Sequence, residues 1–77
     1  MPRITPVHWK VLDCIFLMDG FVYERTRGDH RSYIKQGVLR PVIIPMYKEV
    51  DMDIILSNMR TAKMTREKYF EYLERCK

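Results

Sequence analysis

Residues 19–37 read DGFVYERTRGDHRSYIKQG, and the punctuation of this stretch decides the fold. Asp19-Gly20 is a stop signal, because glycine tolerates the left-handed conformation that closes a helix. Phe21-Val22-Tyr23-Glu24 is aromatic and β-branched and reads as a strand. Arg27-Gly28-Asp29 reads as a tight turn, and His30 to Lys35 as a second strand. Gln36-Gly37 supplies the next connection, leading into a third strand over Val38 to Ile44. Pro41 cannot donate to a ladder, so this third strand belongs at an edge or in a non-bonded position. Three short strands joined by tight turns make an antiparallel meander.

Upstream of this stretch, Thr5-Pro6 looks like a helix start, with threonine as N-cap and proline at the first helical position. Val7, Val11, Ile15 and Met18 follow at helical spacing, predicting a helix over Pro6 to Met18. Downstream, Pro45 ends the third strand. Asp51 then caps a helix in which Met52, Ile55, Leu56 and Met59 share a face. After a break at Lys63-Met64, Thr65 caps a last helix whose apolar stripe is Tyr69, Phe70 and Leu73. Leu56 and Phe70 are expected in the core, and the tail from Glu74 is expected to fray. The predicted order is α-β-β-β-α-α. This is an α+β fold with a three-stranded antiparallel sheet, helices on one face, and the other face open to solvent or a ligand.

Seventy-seven residues make one domain with a thin core. Hydrophobic residues are 47% of the chain and are spread along it, which argues against disorder. No apolar run is long enough to span a bilayer, and the first apolar stretch lacks the small-residue cleavage pattern of a secretory signal. A cytoplasmic location is expected, with no membrane association. Cys14 and Cys76 have no second ligand at metal spacing beside them, so they read as two free thiols. No metal or other cofactor is expected.

The net charge is +4, and it resides in one segment. Arg25, Arg27, Arg31, Lys35 and Arg40 face only Asp29 there, with Tyr23 and Tyr33 interleaved. A confined basic band with aromatics is the footprint of a phosphate-backbone binder, although a solvated strand face carries arginines too. The sequence has no glycine-rich phosphate loop, no carboxylates paired at helical spacing and no His-Cys metal cluster. His8, beside Trp9, reads as a surface or packing residue. His30 follows a glycine turn, opens a strand and lies among arginines. Nearby positive charge favours neutral imidazole, which can accept a proton as a general base must. RNA brings its own nucleophile, the ribose 2′-OH, so one acid/base in a cationic cradle suffices for strand cleavage.

The stretch Asp19-Gly20-Phe21 followed by Glu24 to Tyr33 resembles the signature of the HicA (YcfA-like) toxins. That signature is a Gly-aromatic pair closing a first helix, an arginine, and a Gly-x-His turn entering the second strand. Val42-Ile43-Ile44-Pro45 and the segment Ile54 to Leu73 resemble the same family's third strand and C-terminal helices. The resemblance runs from about Val7 to Leu73. It implies a double-stranded-RNA-binding-like fold and metal-independent mRNA cleavage, with inhibition by a HicB-type antitoxin that covers the site. It gives His30 the catalytic role and Gly28 the turn that presents it. Charge and proximity add Arg25, Arg27, Arg31 and Lys35 as RNA contacts. Two positions depart from the family: Asp29 stands where serine is usual, and Met46-Tyr47 replaces a basic-His ending. Asp29 and Tyr47 are therefore the auxiliary candidates. Two other classes fit the same residues less fully: a non-catalytic RNA-binding module of this fold, and a DNA-associated or protein-interaction domain built on the last two helices.

Overall fold

The structure, a computed structural model, describes residues 3–77. Its elements are α1 (Trp9–Met18), β1 (Val22–Arg27), β2 (His30–Ile34), β3 (Val42–Pro45), α2 (Met52–Ala62) and α3 (Arg66–Cys76). The strands form one antiparallel sheet in the order β1-β2-β3, so both outer strands are edges. The α-β-β-β-α-α order and the open three-stranded sheet are those predicted.

The first helix begins at Trp9, later than the Thr5-Pro6 signal. Val7 forms an antiparallel bridge with Val50, its N–H donating to the Val50 carbonyl (3.2 Å) and its own carbonyl accepting in return (2.7 Å). That bridge holds residue 7 extended, so capping passes to His8. The His8 Nδ1 accepts from the Lys10 N–H at 3.1 Å, which turns an apparent packing histidine into a helix cap. The third strand is shorter than the apolar run suggests and leaves Pro41 just ahead of the ladder. The two later caps form as read, with the side chains of Asp51 and Thr65 accepting from Ile54 and Lys68.

The core joins α1, the inner face of the sheet and the two C-terminal helices. Leu12, Ile15, Phe16, Phe21, Tyr33, Ile44, Ile55 and Tyr69 are essentially inaccessible. Leu56 and Phe70, expected there, are only half-buried, and Met52 is exposed. Ile55, Met59 and Tyr69, read in the same stripes, are buried as expected. The centre of each stripe is thus turned towards them and away from Leu56 and Phe70, by less than one residue step.

The cysteines require a larger correction. Cys14 and Cys76 are a disulfide, with Cα atoms 5.8 Å apart. α1 packs on α3, and this contact brings together residues separated by 62 positions. The tail expected to fray is helical through Cys76 because it is pinned there. Among the described residues, no helix is long and apolar enough to cross a membrane.

Candidate functional site

The site grows from the β1–β2 hairpin. Arg27 pairs with His30, leaving Gly28-Asp29 as a two-residue turn. Gly28 has φ +62°, and Asp29 is not among the positive-φ residues, which is the II′ pattern that matches strand twist. An added Cβ at Gly28 would meet nothing, so this glycine serves conformation and not space.

One irregularity sorts the side chains. The register steps from Tyr23–Tyr33 to Arg25–Ser32, so Glu24 is an extra residue on β1. In a regular strand Tyr23 and Arg25 would share a face. The bulge separates them. Tyr23 and Thr26 stay on the helix-covered side, where their hydroxyls hydrogen-bond at 2.7 Å. Arg25 and Arg27 both turn to the open side with His30 and Ser32. Arg25, Arg27, His30, Ser32 and Ile43 line a hollow of about 290 Å³ on that face.

His30 lies half-exposed at this hollow (52%), and its Nδ1 is 2.9 Å from the Asp29 Oδ1. Donation from Nδ1–H to the carboxylate fixes the ring and leaves Nε2 as the proton acceptor. Asp29, the departure from the family pattern, is therefore the residue that orients the imidazole. The Asp29 carbonyl also accepts from the Met46 N–H at 2.7 Å, tying the turn to the segment after β3.

The other predicted contacts divide. Arg31 lies on the opposite face of β2, with its guanidinium 4.2 Å over the Tyr23 ring and 5.1 Å over Trp9. Its Nε donates to the Tyr33 hydroxyl at 2.9 Å, and that hydroxyl donates a short bond to Asp13. Burial, reinforced by the Asp13 hydrogen bond, pushes the Tyr33 phenol up to about 12. Lys35 lies beyond the far end of β2, 3.6 Å from Asp19 and over the Phe21 ring. Arg31 and Lys35 are thus committed to internal partners, away from His30. Among the described residues, Arg25, Arg27 and Arg40 enter no ion pair.

Tyr47 shares a second, larger groove with His30, running between β3 and α2, with a volume of about 460 Å³. Pro41, Ile43 and Pro45 line its β3 side, and Ile54, Ser57, Asn58 and Thr61 its α2 side. His30 and Ile43 border both hollows, so the two adjoin there. The sequence reading placed Arg40 in the basic band without naming it as a contact, and it missed Ser32 and Asn58. Asn58 carried a signal, since it is a polar residue at a buried position of the α2 stripe.

No family model and no curated protein matches this chain. Its likeness to the HicA toxins rests only on the residues quoted above. No group of three or more potential metal ligands occurs among the described residues.

Proposed function

We propose that this protein is an endoribonuclease toxin of the HicA type, acting on mRNA in the cytoplasm and silenced by a HicB-type antitoxin seated over the open sheet face. One observation carries the reading: the half-exposed His30 ring is held by Asp29 on a sheet face that also presents Arg25 and Arg27. The reaction needs little more than this. His30 Nε2 takes the proton of a ribose 2′-OH, whose oxygen attacks the adjacent phosphorus. The bond to the 5′-oxygen breaks, and that oxygen takes a proton from water or from Tyr47, leaving a cyclic phosphate and a free 5′-hydroxyl. Arg25 and Arg27 stabilise the charge that builds on the phosphoryl oxygens. The ribose hydroxyl supplies the nucleophile, so the scheme needs no metal-activated water.

A second reading is a binding module that holds RNA by phosphate and shape without cutting it. It is favoured by the presence of a single imidazole at the site, His8 being occupied as a helix cap. Purified protein incubated with a defined single-stranded RNA separates the two, with and without a chelator and beside His30→Ala. The proposal expects chelator-resistant cuts that vanish in the variant while RNA binding persists. Binding without cuts in the wild type supports the module. Absence of both defeats the RNA reading altogether.

A further inference from the structure

We infer that the groove between β3 and α2 is a base-reading subsite for single-stranded RNA, with Asn58 as the specificity-determining residue. The inference rests on the RNA reading of the His30 face and deepens it. Asn58 is 6% exposed, and its Nδ2 has no hydrogen-bond partner among the described residues. A buried amide donor without an acceptor is costly, and each such group in a folded protein calls for a cause. Here Asn58 lines the groove itself, together with apolar Pro41, Ile43 and Pro45. An apolar wall with a few placed polar groups, in a volume within the range of about 300–1,000 Å³, describes a small-ligand pocket.

Charge identifies the occupant. The groove adjoins, at His30, the hollow bordered by Arg25 and Arg27, and Arg40 lines the groove itself. Phosphates therefore suit the approaches to the groove. Asp53 also lines it, and its carboxylate disfavours a phosphate inside while suiting the N–H edge of a base. Tyr47 is 43% exposed and offers a ring face for stacking. A base splayed out of a single strand, stacked on an aromatic and read at its edge by an amide, is how proteins recognise RNA sequence. Turned towards the groove that it lines, the Asn58 amide offers its unpartnered donor to a base carbonyl or ring nitrogen, next to the ribose on which His30 acts. Cleavage should therefore depend on the identity of one base beside the cut.

The test uses four 2′-O-methyl tetraribonucleotides, one per base, which bind but cannot be cut. Isotope-labelled full-length protein is titrated with each, and the Asn58 side-chain amide signals are followed. The expected result is a shift of those signals with one base favoured by about tenfold, the discrimination typical of a side-chain–base pair. Asn58→Leu, a near-isosteric change that removes the unpartnered donor, should fold as well as wild type and bind all four alike. Asn58→Asp, which exchanges donor for acceptor, should change the order of preference. If RNA shifts Arg25 and Arg27 but leaves Asn58 silent, or if Asn58→Leu keeps the preference, the subsite is wrong while the RNA reading stands. If Asn58 responds only to a bound protein partner, the groove is a protein-docking site and the inference fails. If no oligonucleotide binds anywhere, the RNA reading fails with it.

Discussion

Reduction of the Cys14–Cys76 bond should remove a large share of this domain's stability while leaving the His30 face in place. The bond joins residues 62 positions apart, so it closes a loop spanning most of the chain. Loop-closure entropy for a ring of this size amounts to about 4 kcal/mol in the chain-entropy treatment. At ~0.05–0.15 kcal/mol per residue, a domain of this length has roughly 4–12 kcal/mol in total. The oxidised protein should therefore unfold at a urea midpoint roughly 2–4 M above that of the reduced protein or of Cys14→Ser. The thermal midpoints should differ by roughly 15–30 °C. Urea unfolding followed by circular dichroism, with thiol content checked by mass spectrometry, measures both. A midpoint unchanged on complete reduction would show that the α1–α3 contact holds the tail without the bond, and the entropic argument would be refuted. The outcome bears on function, because a reducing cytoplasm keeps most thiols free. There the domain would be marginal alone, and a partner present at 100 times its Kd would restore about 2.7 kcal/mol.

Arg27→Glu should weaken RNA association and lower the salt dependence by about 0.7 per lost contact, with folding changed by no more than ~0.5 kcal/mol. Arg31→Glu should do the reverse, destabilising the fold because its guanidinium stacks on Tyr23 and Trp9 and serves Tyr33; parallel salt titrations and urea melts separate the two. Asp29→Asn should slow cleavage by about tenfold, less than the ~10²–10⁴ lost with the base itself, since it loosens the imidazole without removing it. Tyr33 and Tyr69 are both pushed up to about 12 by burial, so each favours the folded state fully below pH 10 and loses that contribution as the pH rises towards 12. Stability should fall over that window, and Tyr69→Phe should flatten the fall in alkaline urea melts. Ile55→Ala should cost roughly 2–5 kcal/mol, and Leu56→Ala distinctly less because that side chain is already half in solvent.

The element order was legible because its punctuation is local. Glycine at 20, 28 and 37, proline at 45 and caps at Asp51 and Thr65 act on their own neighbours. What the sequence hid is long-range. The Val7–Val50 bridge shortens the first helix from a distance of 43 residues, and Thr5-Pro6 carries no trace of it. The disulfide is hidden in the same way, since only the packing of α1 on α3 makes Cys14 and Cys76 neighbours. Helix stripes fell between these cases. Their period was visible, but choosing Ile55 over Leu56 requires knowing where β3 lies.

The basic band shows why a site is harder to read than a fold. Arginines at 25, 27 and 31 and a lysine at 35 look like one patch in sequence, yet a strand sends alternate side chains to opposite faces. Alternation along β2 puts His30 with Ser32 on the open side and Arg31 with Tyr33 on the covered side, which removes Arg31 from the face that carries His30. On β1, strict alternation would place Arg25 with Arg27 but also bring Tyr23 out with them. The bulge avoids this by leaving Glu24 out of the ladder and keeping Tyr23 on the covered face, where it supports Arg31. The bulge thus serves two ends. It leaves two unpaired guanidinium groups beside His30, and it stabilises the third cation against the core that positions them. Deleting Glu24 would remove the need for the bulge and restore plain alternation, with Tyr23 still opposite Tyr33 and Arg25 still opposite Ser32. RNA binding and stability should then both stay near wild type, whereas each point variant above moves mainly one of them; a fall in either would refute the assignment of faces.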